Sequence, residues 1–488
     1  MLSHLIKKEV LEHLMSMRFA IACVLCLIVI LCSLFIRSQD YNQVLDDYHQ
    51  ESAMEKHRVD AWDHPWHFVW QGVTIYRRPN PLKIFVRGLD DSYGQAVRVA
   101  SKEQLWTIIR DLQNTAVPLF SPIDLVAFVG LIMSLMAVVF GYDAICGEKE
   151  RGTLRLMLSY SVPRHQLLLS KWIGGYVTLV VPFLLTVVVG AVIVLLQGNI
   201  SLNDGQWARL LLIIGLALLY IAAIYSLAIC VSCLTHRAST SVMILLSIWV
   251  VLVLAVPNLS PYMARLLRPT ASAQEQDNAR RSASKEIWKR QVEDKMKAYD
   301  KEKGFEGFFK DHWWASINWD DWTQVEPLER RWYYELQCER EAHIARLNEY
   351  SKIRQHYASR MDEQIRLSRW IGRLSPFSCF ALAATELADA GIMEKTRYRT
   401  QLQKHHILLC NYAHDEWQAL RQYKLDNAGR EKGPWNKNRV KPVPSFYYVP
   451  PGAREYLGVV ATDGGVLVGM MVLFFMLSYV RFLRYDVR

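Results

Sequence analysis

Residues 140–176 read FGYDAICGEKERGTLRLMLSYSVPRHQLLLSKWIGGY. An apolar run ends at Tyr142 and gives way to the charged turn Glu148-Lys149-Glu150-Arg151. TLRLMLSY then predicts a short helix, with Leu154, Leu156, Met157 and Leu158 near one side. Pro163 breaks it, and QLLLSKW leads into a second apolar run. A short helix that is charged at one end and leucine-rich along its side is built to lie across something. That can be the lipid interface or a groove on another protein.

The runs on either side set the fold class. Crossing a membrane takes about 20 apolar residues. Six stretches qualify: 18–36, 122–142, 172–196, 210–235, 238–257 and 457–481. The first, FAIACVLCLIVILCSLFI between Arg18 and Arg37, exceeds the apolar core of a secretory signal. It also lacks a small-x-small cleavage site, so it reads as a retained anchor. The expected fold is therefore a mainly α membrane protein of six transmembrane helices. A small α/β outer domain (37–121) lies between spans one and two, and a large helical outer domain (258–456) between spans five and six. Residues 1–17 predict an amphipathic elbow helix, and 482–488 a short tail.

Orientation follows from Lys and Arg in short loops. Lys7, Lys8, Arg18, Lys149, Arg151, Arg155, Arg164, Lys171, Arg237, Arg481, Arg484 and Arg488 gather on one side, and Arg209 stands alone on the other. Both termini and the 143–171 loop are thus expected in the cytoplasm, with the two large blocks outside. The 488 residues carry a net charge of +10, which at first suggests nucleic acid. The excess instead divides between this inside bias and block 258–456, which holds 34 Lys+Arg against 27 Asp+Glu. No nucleic-acid partner is implied. Six of the nine cysteines lie in or beside spans, leaving Cys338, Cys379 and Cys410 outside, too few for a disulfide-stapled domain.

The segment from Asp143 onward resembles the loop between the second and third spans of ABC-2 type transporter permeases. The usual pattern there is an acidic residue, GEKERGTLE, an apolar stretch, SYPVSR, a second apolar stretch and GK. Gly147, Glu148, Lys149, Glu150, Arg151, Gly152, Thr153 and Leu154 match in order, as do Ser159-Tyr160, Val162, Arg164 and Lys171. Pro163 sits one place later than usual. In that family the loop carries a coupling helix that docks on a separate ATP-binding subunit. The resemblance thus implies that Gly147, Glu148, Arg151, Gly152, Thr153 and Leu154 lie at such a contact. It also implies two copies of the ATPase, a permease homodimer or heterodimer in membrane lipid, export, and a place in a bacterial inner membrane. The subgroup with extended outer domains often carries a histidine-proline, glycine and proline pattern in its first block. Here that pattern reads His64-Pro65-Trp66-His67, Gly72, Tyr76, Pro79, Pro81-Leu82, Gly88 and Gly94.

The sequence has no G-x-x-x-x-G-K-[ST], so ATP and Mg are expected in the partner chain, with no cofactor and no catalytic residue in this one. In the first outer block, WQGVTIYR, LKIFVRG and AVRVA alternate like strands, and SKEQLWTIIRDL (101–112) predicts a helix capped by Ser101. In the second, Ala271–Lys301 and a helix opened by Pro327 predict an outward hairpin. Its tip carries Trp313, Trp314, Trp319 and Trp322, either as an apolar plug or as a contact for an outer partner protein. SPFSCFALAATELADAG (375–391) is expected against the outer membrane interface, followed by a helix from Met393 to about Lys424. Two histidine sets recur among acids: His49, His57, His64 and His67 with Asp60 and Asp63, and His405, His406 and His414 with Asp415 and Glu416. Neither has a recognised ligand spacing, so no metal site is assigned. Two functional readings stay open. One is an ATP-driven transporter permease. The other is a device that transmits ATPase motion to an outer partner without moving a substrate.

Overall fold

The computed structural model describes residues 2–62, 66–88, 96–99, 106–108, 123–159, 163–197, 200–270, 272–308, 316–318, 321–426 and 441–484. The chain is mainly helical. Among the described residues, six helices are long and apolar enough to cross a membrane, and they serve here as spans one to six: Met17–Asp60, Leu125–Arg151, Arg164–Leu196, Asp204–Leu234, Ala238–Leu267 and Glu455–Leu483. Their starts have local causes. Ser16 accepts the Phe19 amide ahead of span one, and Asp124 accepts the Ala127 amide at 2.8 Å ahead of span two. Asn203 and Gln206 form a reciprocal capping box at span four. Span one runs for 44 residues, about 66 Å at 1.5 Å per residue, so it continues well past a hydrocarbon core of about 30 Å.

Span four is the centre of the bundle. Every residue from Tyr220 to Cys233 is buried, as expected for a helix that is apolar on all sides. Packing rather than water exclusion holds membrane helices together, so small residues let backbones approach. A Cβ on Gly141 would stand 2.5 Å from the Cβ of Ala228. Tyr220 donates to the Gly130 carbonyl at 2.9 Å, and Trp172 donates to Ser226 Oγ at 2.8 Å. Both bonds tie span four to its neighbours.

On one face lie the N-terminal helix Leu2–Leu14 and the loop between spans two and three. On the opposite face, the extension of span one leads through a short helix, Trp66–Gln71, into a three-stranded antiparallel sheet. Its strands are β1 (Val73–Tyr76), β2 (Ala96–Val99) and β3 (Trp106–Ile108), with Val73 opposite Val99 and Ala96 opposite Ile108. Two expectations are corrected here. LKIFVRG is no strand, because Pro81–Ile84 forms a 3-10 turn capped by Asn80. The Lys83 and Ile84 carbonyls, which a ladder would use, accept instead from the Arg37 guanidinium. SKEQLWTIIRDL holds a strand where a helix was expected, since Trp106–Ile108 pairs with β2. Ser101 lies outside the described residues.

The second block opens with two long helical rods packed side by side. Ala273–Trp288, the π-turn Lys289–Glu293 and Asp294–Lys303 make one rod. It packs against the 51-residue helix Trp322–Gly372. Tyr299 stacks on Tyr334 at 4.5 Å, and Arg331 grips Asp300 at 2.6 and 2.8 Å. Pro327 does not open the long helix, which starts at Trp322 under an Asp321 cap. Helix Pro376–Leu387, expected to lie on the lipid interface, is instead sunk among the spans. Phe380 stacks on Tyr220 at 5.4 Å, and Cys379, Phe380, Ala383, Ala384 and Leu387 are fully buried. The last helix of this block, Ile392–Asp426, joins it to the sheet. Its Tyr398, Leu402, Leu409 and Ala413 share one core with Trp62, Phe68, Ile75, Val97 and Val99.

Candidate functional site

The loop that leads from span two to span three begins within the last residues of span two and is two short helices, Cys146–Arg151 and Thr153–Ser159, joined at Gly152. Gly152 has φ +75°, a conformation that costs glycine nothing and lets the first helix end while the second turns away. Three of the four charged residues of the first helix, Glu148, Lys149 and Glu150, have partners within the chain. The Lys149 ammonium donates to the Cys233 and Thr235 carbonyls at 2.5 and 2.9 Å, closing the C-terminal end of span four. One residue on, a Glu150 carboxylate oxygen accepts the Ala238 amide at 2.9 Å and caps span five. Ser232 Oγ accepts the Ile145 and Cys146 amides at 3.0 Å each. The turn between spans four and five is thereby fastened to this loop.

Glu148 points the other way. Its carboxylate lies 3.3 Å from the Lys171 ammonium, which also lies 3.1 Å from Glu9 of the N-terminal helix. Thr153 donates to Glu148 as well. Lys171 is 5% exposed and Glu9 is 7% exposed, so this is a knot of one cation and two anions with a buried centre and Glu148 half-buried at its edge. Close approach makes it possible: a Cβ on Gly174 would sit 2.7 Å from Glu9 Cβ. Arg18 adds a second clamp by holding both oxygens of Asp143 at 3.0 and 2.9 Å.

Of the six residues expected at a partner contact, Arg151, Gly152 and Thr153 are exposed. Gly147 and Leu154 are buried within this chain, and Leu154 has no exposed surface at all. Leu156, expected on the same side as Leu154, lies on the other and is 61% exposed. The outward face is thus built from Arg151, Gly152, Thr153, Arg155 and Leu156. Sequence reasoning missed Glu9, Arg18, Lys149, Glu150 and Lys171 as architectural residues, having read the basic ones as orienting charge and Lys149, Glu150 and Lys171 as members of the loop pattern.

A family model described as an ABC-2 family transporter protein matches residues 4–487. The chain belongs to the ABC-2 transporter family. It is similar over short stretches to two curated relatives, each named a probable ABC transporter permease protein NosY. The one from Pseudomonas aeruginosa is 47% identical over 51 residues, covering 10% of this chain and 18% of the relative. The one from Stutzerimonas stutzeri is 37% identical over 86 residues, covering 17% and 31%. The matched stretches span less than a third of either relative. This ABC-2 protein is a multi-pass membrane protein by its family and its six apolar helices.

The opposite face carries a different set of charges. Asp389, the one non-glycine residue with positive φ (+56°) among those described, receives Arg209 of span four and Tyr456 of span six, the latter at 2.5 Å. Asn80 also donates to it at 2.9 Å. Arg373 pairs with buried Asp463 of span six at 2.6 Å. Arg369 pairs with Glu386, whose carboxyl is pushed up by burial and pulled back by that arginine. Trp313, Trp314 and Trp319 fall outside the described residues, and Trp322 is described only in its backbone. In the first histidine set, His49 and His57 lie along the extension of span one, His67 stacks on Trp62 at 6.1 Å, and His64 and Asp63 are outside the described residues. In the second set, His405 packs on Phe446 at 5.3 Å, while His406 turns to His343.

Proposed function

We propose that the chain is the membrane-spanning permease subunit of an ATP-driven ABC-2 type transporter. A separate ATP-binding subunit, carrying ATP and Mg, docks on the 147–170 loop. Two permease copies, or this chain and a close relative, pair above two ATPases in a bacterial inner membrane, with both termini cytoplasmic. Export is the expected direction.

The supporting observation is the division of labour in the loop. Glu148, Lys149 and Glu150 are turned inward onto the N-terminal helix and spans three, four and five. Arg151, Thr153 and Leu156 stand outward. A force on the outward face therefore reaches four helices through short, charge-assisted contacts, which deform less than an untethered loop. The outward leucine offers an apolar contact, and Arg151 is of a residue type that interface hot spots favour.

The test is Arg151→Glu with Leu156→Asp. Both residues lie at the surface, so insertion and thermal stability stay within about 0.5 kcal/mol of the parent. Co-purification of the ATP-binding subunit drops by more than about tenfold, a loss of about 1.4 kcal/mol of binding. Undiminished co-purification sinks the docking assignment.

A second reading is motion transmitted to an outer partner with no cargo. It draws support from the way Arg209, Arg369 and Arg373 lock the outer domain to the spans and to helix Pro376–Leu387. Reconstituted vesicles separate the two. Cargo accumulating only with an active ATPase supports transport. ATP-dependent change in the outer domain, with nothing crossing, supports transmission.

A further inference from the structure

Two long outer helices bring together three ligand-type side chains. His343 comes from Trp322–Gly372, and His406 and Cys410 come from Ile392–Asp426. The last two are four residues apart, so they share one helix face a turn apart. Their ligand atoms and that of His343 all lie within 4.8 Å of one another. The two imidazoles meet through their Nε2 atoms at 3.1 Å. Two nitrogens bound to one metal at about 2.0–2.1 Å stand only slightly farther apart than that. His343 is 5% exposed, Cys410 3%, and His406 is fully buried.

We propose that His343, His406 and Cys410 form a binding site for a monovalent thiophilic metal ion, copper(I), which clamps the two outer helices together.

The choice of ion rests on donor type, donor number and charge. Thiolate with imidazole selects soft or borderline ions, copper(I) and zinc foremost, over magnesium or calcium. Among the described residues the cluster supplies three ligands. Three suit trigonal copper(I), whereas a structural zinc site takes four. Charge decides further. Arg346 acts on His343 and Arg340 acts on Cys410, so two guanidinium groups border the cluster. Arg340 is held by Asn411 at 2.9 Å, and Arg346 lies over Trp288. One thiolate with a monovalent ion makes a neutral centre. A divalent ion would leave a buried positive charge beside two cations.

His343 is suited to act as a neutral donor. Burial, the facing His406 and Arg346 push His343 down to about 3, so it stays uncharged near neutral pH. Burial pushes the Cys410 thiol up to about 12, with Arg340 pulling against it. Loading therefore exchanges one proton for one ion: the S–H bond breaks, the S–Cu bond forms, the proton leaves to solvent and no electron moves.

The experiment uses the full chain purified in detergent under anaerobic, reducing conditions. Copper(I) is added and a colorimetric copper(I) chelator competes for it. One equivalent is expected to resist the chelator, with an X-ray absorption spectrum fitted by one sulfur and two nitrogen neighbours. Cys410→Ser and His406→Ala should each weaken retention by more than the roughly 10–100-fold typical of losing an outer hydrogen-bond partner of a ligand. Cys338→Ser, at a neighbouring buried cysteine, should leave it unchanged. No retained equivalent in the parent protein, a spectrum lacking sulfur, retention unchanged in Cys410→Ser, or tight zinc binding without copper(I) binding would each overturn the proposal. The parent spectrum is decisive even if a variant fails to fold.

Discussion

On the loop face, one lysine holds two carboxylates from distant segments, Glu9 and Glu148. On the opposite face, three arginines each hold a separate carboxylate: Arg209 with Asp389, Arg369 with Glu386, and Arg373 with Asp463. Both arrangements place charge in dry surroundings, where geometry and full pairing decide whether it is tolerated. They differ in how they fail. Loss of the shared lysine strands two anions at once and removes the one charge contact that joins the N-terminal helix, span three and the loop, leaving the Arg18–Asp143 clamp and the Lys149 and Glu150 contacts. Loss of any one arginine strands one anion and leaves two other ties in place. A single shared knot suits a joint that must move as a unit, and distributed pairs suit a mount that must stay fixed.

The largest expected effect is therefore at the shared knot. Lys171→Met leaves Glu9 and Glu148 facing each other in a buried site, and should cost about 3–5 kcal/mol of resistance to unfolding in detergent. Restoring neutrality with Glu9→Gln and Glu148→Gln in the same chain should recover much of that loss. On the distributed face, Arg373→Leu alone should cost about 2–3 kcal/mol, less than the knot because the guanidinium is partly exposed. Arg373→Leu with Asp463→Leu should cost less than the single change, since no charge is left alone. A single arginine variant that destabilised as much as Lys171→Met would erase the distinction. The smallest effect belongs to an outer pair with exposed side chains. Arg268–Glu363 joins the end of span five to the long helix with side chains 64% and 50% exposed. Its removal should change stability by less than about 1 kcal/mol, read from the same unfolding curves.

The six spans were legible because an apolar run long enough to cross a membrane needs no knowledge of its neighbours. The loop was legible as an object, since GEKERGTL followed by a proline-bounded apolar helix is a local pattern. Its inner wiring was not. Nothing in the order of residues shows that Lys149 reaches the end of span four or that Glu150 caps span five. Leu154 and Leu156 read alike as leucines of one helix, and only their placement separates an inward plug from an outward anchor. LKIFVRG has strand-like composition, yet Arg37 of span one takes two of its carbonyls and a turn results. Helix Pro376–Leu387 is apolar enough for the interface, but the faces of Tyr220 and Gly130 offered it a deeper seat. Of the proposed ligand cluster, His406 and Cys410 stand four residues apart, but the sequence reading set His406 with His405 and His414 instead. The third member, His343, lies 63 residues before His406 and could be joined only by folding.

The central claim is that the outward face of the loop, and not the inner knot, meets the ATP-binding subunit. Leu156 replaced by a photo-crosslinking residue tests it directly in membranes holding the whole complex. The account predicts an adduct between position 156 and the ATP-binding subunit, and no adduct to that subunit from the same residue placed at buried position 154. Adducts to lipid alone from position 156, with the ATPase still bound to the permease, would contradict it.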